Sequence, residues 1–450
     1  VHYITFYALL RAGHSKTQSP FYIVGRPRIS RRQRERMSGM AGNFSHIDPG
    51  ASEPLAKLQQ ENPSAAGQSR YIERCGYCPP YENTTVEYLP LGEVKFERML
   101  TELKAAKKFI FLEYFIIQEG KMWDPILEIL EQKVKEGVEV RVMYDDFGCM
   151  MTLPARYWGT LEKKGIQCCV FNPFVPVLSL RFNNRDHRKI CVIDGWVGIT
   201  GGINLADEYI NAYPKHGHWK DVSILLKGDA VWGLTMMFLS MWDYLRKIQE
   251  DYNDFRPGVV PYALPRQPSG YVQPYSDSPL DDEAVGETVY LNLINKAERY
   301  VYICTPYLII SNEMITALCT AAKSGVDVRI ITPHVADKWY VHAVTRAYYQ
   351  VLVEAGVKIY EYTPGFIHAK TFVVDDIYGV AGTINLDFRS LYLHFECAAW
   401  MYKTPCLADM KEDFLKTQAV SQEITLERCQ SVKLGTRLVR SVLRVFAPLM

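Results

Sequence analysis

Two short stretches carry side chains of the right types and spacing to do chemistry together. The first runs Arg185-Asp-His-Arg-Lys-Ile-Cys-Val-Ile-Asp194 and is followed by Gly201-Gly-Ile-Asn204. It sets His187 two residues before Lys189, with Asp194 five further on. The second repeats it: His368, Lys370, Asp375, Gly382 and Asn385 keep every offset at an interval of 181 residues. On a strand, residues i and i+2 share a face, so each copy would project an imidazole and an ammonium side by side. Imidazole acts as nucleophile or proton carrier, and Lys holds a developing oxyanion. Two of each suit an anionic centre that is attacked on one side and protonated on the other. A phosphodiester fits that description.

The elements that must position these groups read as hairpins. Ile190 to Ile193 is an apolar strand, Asp194-Gly195 a two-residue turn, and Trp196 to Thr200 the returning strand. Thr371 to Val374 and the turn Asp375-Asp376 copy it. Around each hairpin, strands alternate with helices. Phe109 to Phe115 and Val138 to Tyr144 are strands, with helices over Phe96 to Lys107 and Met122 to Gly137. The later half gives strands over Tyr300 to Tyr307, Val326 to Thr332 and Val357 to Tyr362, and helices over Glu313 to Gly325 and Ala343 to Gly356. Gly137-Val138-Glu139-Val140-Arg141 and Gly325-Val326-Asp327-Val328-Arg329 are one phrase written twice. The pattern is an α/β layer fold made by duplication.

Other polar residues are candidates with two readings each. Asn204 and Asn385, with Gly202 and Thr383 beside them, either meet a phosphate oxygen or a Lys, or form a turn. Glu113, in a strand of aromatics, is either a core acid with a basic partner or a support for a catalytic His. Glu396 is read as its counterpart in the second half. Asp221 either contacts substrate or caps a strand. Cys75-Gly-Tyr-Cys78 has no second ligand pair nearby and reads as a turn with two buried thiols, not a zinc knuckle. No metal-ligand cluster is apparent.

The paired H-x-K-x4-D-x6-G-[G/T]-x-N motifs resemble those of the phospholipase D superfamily. Gly365-Phe-Ile-His-Ala-Lys370, Gly270-Tyr-Val-Gln-Pro-Tyr275, Ser278-Pro-Leu-Asp-Asp-Glu283 and Asn385-Leu-Asp-Phe-Arg-Ser390 are similar to bacterial cardiolipin synthases. The resemblance covers the chain from about Arg26 to Met450. It implies two fused repeats, each a mixed sheet flanked by helices, related by a pseudo-twofold axis with one active site between them. It also implies transfer of a phosphatidyl group between two phosphatidylglycerol molecules, releasing glycerol, with a phosphohistidine intermediate and no cofactor. His187, Lys189, Asp194, His368, Lys370 and Asp375 would be catalytic, and each Asp would orient a His, with the one in the other repeat as its candidate. A hydrolase would use the same residues with water as acceptor.

The boundaries follow: an N-terminal membrane-proximal segment (1–80), a first repeat (81–256), a Pro/Gly/Ser-rich connector (257–279), a second repeat (280–432) and a C-terminal helix (433–450). The resemblance also suggests that the connector crosses near the active-site mouth. The apolar opening Val1 to Leu10 falls short of the roughly 20 residues of a spanning helix, whereas cardiolipin synthases usually carry spans there; the expectation is a clipped start. Arg26, Arg28, Arg31, Arg32, Arg34 and Arg36 read as a juxtamembrane block on the cytoplasmic side of a bacterial membrane, or as a solvated arm. In the tail, Lys433, Arg437, Arg440 and Arg444 recur at helical spacing among apolar residues, giving either a helix in the headgroup plane or one docked on the core. Net charge is +1, so no global field attracts nucleic acid, and attraction to anionic lipid must be local. Eleven scattered Cys are the usage of buried thiols in a reducing compartment. Oligomeric state is not legible.

Overall fold

The computed structural model describes residues 52–173, 184–257, 267–280 and 283–447. The Val1 to Leu10 opening and the Arg26 to Arg36 block lie outside the described residues. The first half supplies β1 (Thr84–Leu89), β2 (Phe109–Tyr114), β3 (Glu139–Asp145), β4 (Gln167–Phe171), β5 (Lys189–Ile193), β6 (Val197–Gly201), β7 (His218–Lys220) and β8 (Ser223–Gly228). The second supplies β9 (Tyr271–Asp277), β10 (Tyr300–Cys304), β11 (Asp327–Pro333), β12 (Lys358–Tyr362) and β13 (Gly365–Ile367). It continues with β14 (Thr371–Val374), β15 (Tyr378–Gly382), β16 (Glu396–Tyr402) and β17 (Ser421–Glu423).

Two mixed sheets result, ordered β1-β8-β6-β5-β2-β3-β4 and β17-β12-β11-β10-β14-β15-β16-β9. In each, three consecutive strands run parallel and the hairpin that follows the His-x-Lys motif adds antiparallel to the first of them. Parallel pairing needs a crossover, and the helices Trp123–Lys135 and Asn312–Lys323 provide it. The repeated Gly-Val phrase shows how they stop. Gly137 and Gly325 sit at φ 87° and 96°, where a Cβ is strained. The next N–H then reaches back to close the helix, Val138 to the Lys133 carbonyl and Val326 to the Ala321 carbonyl.

The hairpin turns hold Asp194 and Gly195 at φ 55° and 68°, and Asp375 and Asp376 at φ 56° and 63°. Two successive positive φ values match the right-handed twist of the flanking strands. Strand pairing resumes at Val197 and Tyr378, one residue later than a two-residue turn would give.

The stretch read as a connector carries a strand. β9 pairs along the whole of β16, and Gln273 donates to the carbonyls of Ser69 and Cys78. Pro274 sits within it, which an edge strand tolerates because the missing N–H faces away from the ladder. One hydrophobic cluster draws on both sheets, joining Phe111, Ile190 and Leu226 to Ile331, Val373 and Met401, with the Val231–Arg246 helix buried among them. The Leu434–Val445 helix docks on the core, as one of the two readings of the tail had it. Arg444 packs 4.4 Å from the Tyr348 ring centre, while Leu434 and Leu438 face solvent. No described helix is long and apolar enough to cross a membrane.

Candidate active site

The two halves meet through reciprocal exchanges. β7 pairs in parallel with β13, ending at Lys220 opposite Ile367, and Asp186 bridges Phe395 in the same sense. The His368 N–H donates to the Lys220 carbonyl at 2.7 Å, and the His187 N–H donates to the Phe395 carbonyl at 2.9 Å. The next residue along each donated strand then takes the ring. His368 Nδ1 lies 2.7 Å from Asp221 Oδ2, and His187 Nδ1 lies 2.9 Å from Glu396 Oε1. Backbone and ring of each histidine are thus held by two consecutive residues of the opposite half. With Nδ1 engaged by a carboxylate, the proton sits on Nδ1 and the Nε2 lone pair is left for chemistry.

This arrangement corrects two expectations. Asp194 and Asp375 hold the turns, not the histidines. Asp194 accepts from the N–H groups of Lys107, Lys108 and Phe109, and Asp375 from those of Glu298, Arg299 and Tyr300. Each Asp is at the far end of an extended strand from the His of its own motif, roughly 20 Å away at about 3.3 Å per residue. The counterpart of Glu396 is Asp221, not Glu113. Asp221 stands two residues before Ser223, which pairs with Gly201; Glu396 stands two before Ala398, which pairs with Gly382. Glu113 is the core acid of the alternative reading, 2.6 Å from the Arg188 guanidinium, which also binds Asp186.

Gly202 and Thr383 occupy equivalent positions beneath the two carboxylates and treat them differently. A Cβ on Gly202 would stand 2.2 Å from Asp221 Oδ1, so only glycine leaves room there. The Thr383 hydroxyl donates to Glu396. Asn204 braces the loop after β2, accepting from the Ile116 N–H and donating to the Tyr209 hydroxyl. Asn385 is buried, and its Oδ1 has no partner among the described residues.

Both lysines are buried beside the histidines, Lys370 Nζ 2.8 Å from His368 Nδ1 and Lys189 Nζ 2.5 Å from the His187 carbonyl. Burial pushes Lys189 down to about 8 and Lys370 to about 7. Burial also lowers His187 to about 3, and burial with the two lysines holds His368 well below its ordinary range. Burial raises Asp221 to about 6 against the pull of Lys370. Glu396 goes the other way: although burial opposes it, His187 and then His394 hold it well below the carboxylate range. The site is therefore poised to receive an anion, whose charge would let the bases keep their protons.

His394 is a residue the motif reading missed. Its ring is 5.6 Å from that of His187, and its Nδ1 faces Glu396 at 3.8 Å. The donor atoms of His187, His394 and Glu396 lie within 4.8 Å of one another, the one group among the described residues able to close on a metal ion. Its only signal in the sequence was adjacency to Phe395-Glu396. Cys78 is buried and Cys75 half-buried, with Tyr77 at φ 61° between them making the turn. Aromatic walls were not foreseen either: Phe115 meets the His187 ring edge-on at 5.1 Å, and Trp219 stands 5.5 Å from His368.

Comparison with known proteins gives this geometry a family. The family model described as "Cardiolipin synthase, PLD-like domain" matches residues 99–213 and 290–417, one span per motif. A cardiolipin synthase of Geobacillus kaustophilus is 34% identical over 411 residues, covering 90% of this chain and 80% of its own length. An uncharacterized protein of Streptococcus mutans is 52% identical over 396 residues, covering 88% of this chain and 85% of its own. Among solved structures, the phosphatidylserine synthase of Haemophilus influenzae superposes with a TM-score of 0.63 at 16% identity, over 85% of this chain and 97% of that one. That likeness speaks for the fold alone. The chain belongs to the cardiolipin synthase family of phospholipase D-like phosphatidyltransferases.

Proposed function

We propose that this protein joins two phosphatidylglycerol molecules into cardiolipin and glycerol. The observation that carries the mechanism is the crossed pair of His–carboxylate contacts; by engaging both Nδ1 atoms it supports a reading in which two Nε2 atoms and two ammonium groups meet one phosphate. His187 Nε2 attacks phosphorus, and the P–O bond to the departing glycerol breaks. His368, protonated on Nε2 once the bound phosphate has raised its proton affinity, gives that oxygen its proton. Neutral His368 then takes a proton from a hydroxyl of the second phosphatidylglycerol, whose oxygen attacks phosphorus as the P–N bond breaks. Lys189 and Lys370 hold the non-bridging oxygens throughout.

The unequal carboxylates favour this assignment. A phosphohistidine carries positive charge on the ring, and the firmly ionised Glu396 on His187 Nδ1 offsets it. Asp221, with its raised proton affinity, suits a histidine that gives and regains a proton. The test is to incubate the protein with phosphatidylglycerol vesicles and resolve lipids and free glycerol together. Cardiolipin with one equivalent of glycerol is expected. Phosphatidic acid without cardiolipin would mean that water wins at the intermediate and the protein is a hydrolase.

A further inference from the structure

The loops that follow β3 and β11 occupy equivalent places at the ends of the parallel strands, and both border the site. In the first, Cys149 Sγ contacts the Phe115 carbonyl, and the Phe115 ring stands against His187. In the second, Asp337 accepts from the Tyr307 hydroxyl at 2.6 Å, and Tyr307 leads through Phe366 to His368.

The two loops, with the first residues of the helices that follow them, expose large apolar side chains that a water-facing segment has no reason to carry. Met151 is 88% exposed and Trp339 69%, and Phe147, Met150, Trp158 and Tyr340 are also open to solvent. Each group has an exposed cation within it, Arg156 in the first loop and Lys338 in the second. Single exposed apolar residues are ordinary, but two symmetric clusters flanking one mouth are not.

A third element packs on the helix that Trp339 begins. The Leu434–Val445 helix lies along the Trp339–Glu354 helix, with Arg444 over Tyr348 and Arg437 3.5 Å from Gln350. It exposes Leu434, Leu438 and Val442, contains no acidic residue, and carries Arg437, Arg440 and Arg444 with Lys433 at its start. Apolar side chains among cations and aromatics complement an anionic bilayer, where rings sit at headgroup level and cations meet lipid phosphates.

We infer that the two loops and the Leu434–Val445 helix form one docking face for an anionic lipid surface, seating the mouth of the site against the bilayer so that lipid enters sideways. The inference rests on the reading above only in taking the substrate to be a lipid. Docking itself needs no turnover.

The test uses the full chain with vesicles of phosphatidylglycerol carrying brominated acyl chains, which quench tryptophan on contact. Wild type should lose part of its emission on binding, and the Trp158→Phe/Trp339→Phe variant should lose several-fold less. Met151→Asp/Leu438→Asp should bind these vesicles about tenfold more weakly, since two apolar contacts of about 0.7 kcal/mol each suffice for that factor, and should still process short-chain phosphatidylglycerol in solution. Equal fractional quenching with both tryptophans replaced would overturn the inference, whatever else tethers the chain. So would wild-type affinity in the Asp variant, or a wild-type dimer that the same changes dissociate, which would make the face a contact between copies. Docking without any lipid turnover would instead leave this inference standing and sink the proposed reaction.

Discussion

A carboxylate on Nδ1 does two things for an imidazole: it fixes the tautomer and it offsets charge formed on the ring. Glu396→Gln keeps the shape and removes the charge, so turnover should fall by about 10²–10⁴-fold while the unfolding midpoint stays close to wild type. Asp194→Ala should behave in the opposite way. It strands three backbone donors at the turn, costing about 1–3 kcal/mol, and should leave transfer per folded molecule intact. Activity assays on the two variants beside denaturant melts separate the cases; full turnover in Glu396→Gln would remove the carboxylate from the mechanism. His187, Lys189, His368 and Lys370 were legible because their spacing along one strand is covalent. Asp221 and Glu396 were legible as candidates but not as histidine partners, because that pairing exists only across the interface between halves. Asp194 and Asp375 misled for a related reason. A constant offset records any shared constraint, and theirs is a positive-φ turn whose Asp also caps the start of β2 or β10.

Elements show the same division between what local chemistry dictates and what packing decides. The parallel strands, their crossover helices and the Gly stops were readable because each carries its own period and punctuation. β9 was not, since Pro274 and its Gly- and Ser-rich surroundings argue for a loop, and only pairing with β16 makes it a strand. The Gly92–Ala105 helix raises a further point, for Lys95 is fully buried beneath it. Its ammonium stands 4.8 Å from the Tyr114 ring centre and has no hydrogen-bond partner among the described residues. Burial pushes it down to about 7 from 10.5. Because the folded chain binds this proton less tightly than the unfolded one, Lys95 destabilises the fold fully below pH 7 and ceases to above about 10.5. Lys95→Met should therefore raise stability by about 1–3 kcal/mol at neutral pH, with the gain shrinking as pH rises toward 10. Urea melts at pH 7 and pH 9.5 check both parts, and a gain that does not change with pH would show that packing, not charge, sets it.

At the scale of the whole molecule, the shared core makes the two repeats one cooperative body, and the site at their junction couples that body to charge. Phe111 and Leu226 pack in the same cluster as Ile331 and Met401, so neither half buries its sheet alone, and thermal unfolding should show a single transition by every probe. The site's own groups oppose this stability, because burial holds Lys189 near 8, Lys370 near 7 and His187 near 3. In each case the unfolded chain takes up the proton first as pH falls, so folding weakens across the lysine window and again below about 6.5. An anion bound between the lysines reverses the penalty, since it raises the proton affinity of every base around it. Sulfate stays a dianion throughout this range and isolates the effect of the protein's own groups. It should raise the melting temperature more at pH 6 than at pH 8.5, approaching the ~2.7 kcal/mol expected at a hundredfold excess over its dissociation constant. Lys189→Met/Lys370→Met should lose most of that shift and should melt higher than wild type without sulfate. Sodium chloride at matched ionic strength is the control. If it shifts the melt as sulfate does, or if the sulfate shift is the same at both pH values, the four buried bases do not form an anion site.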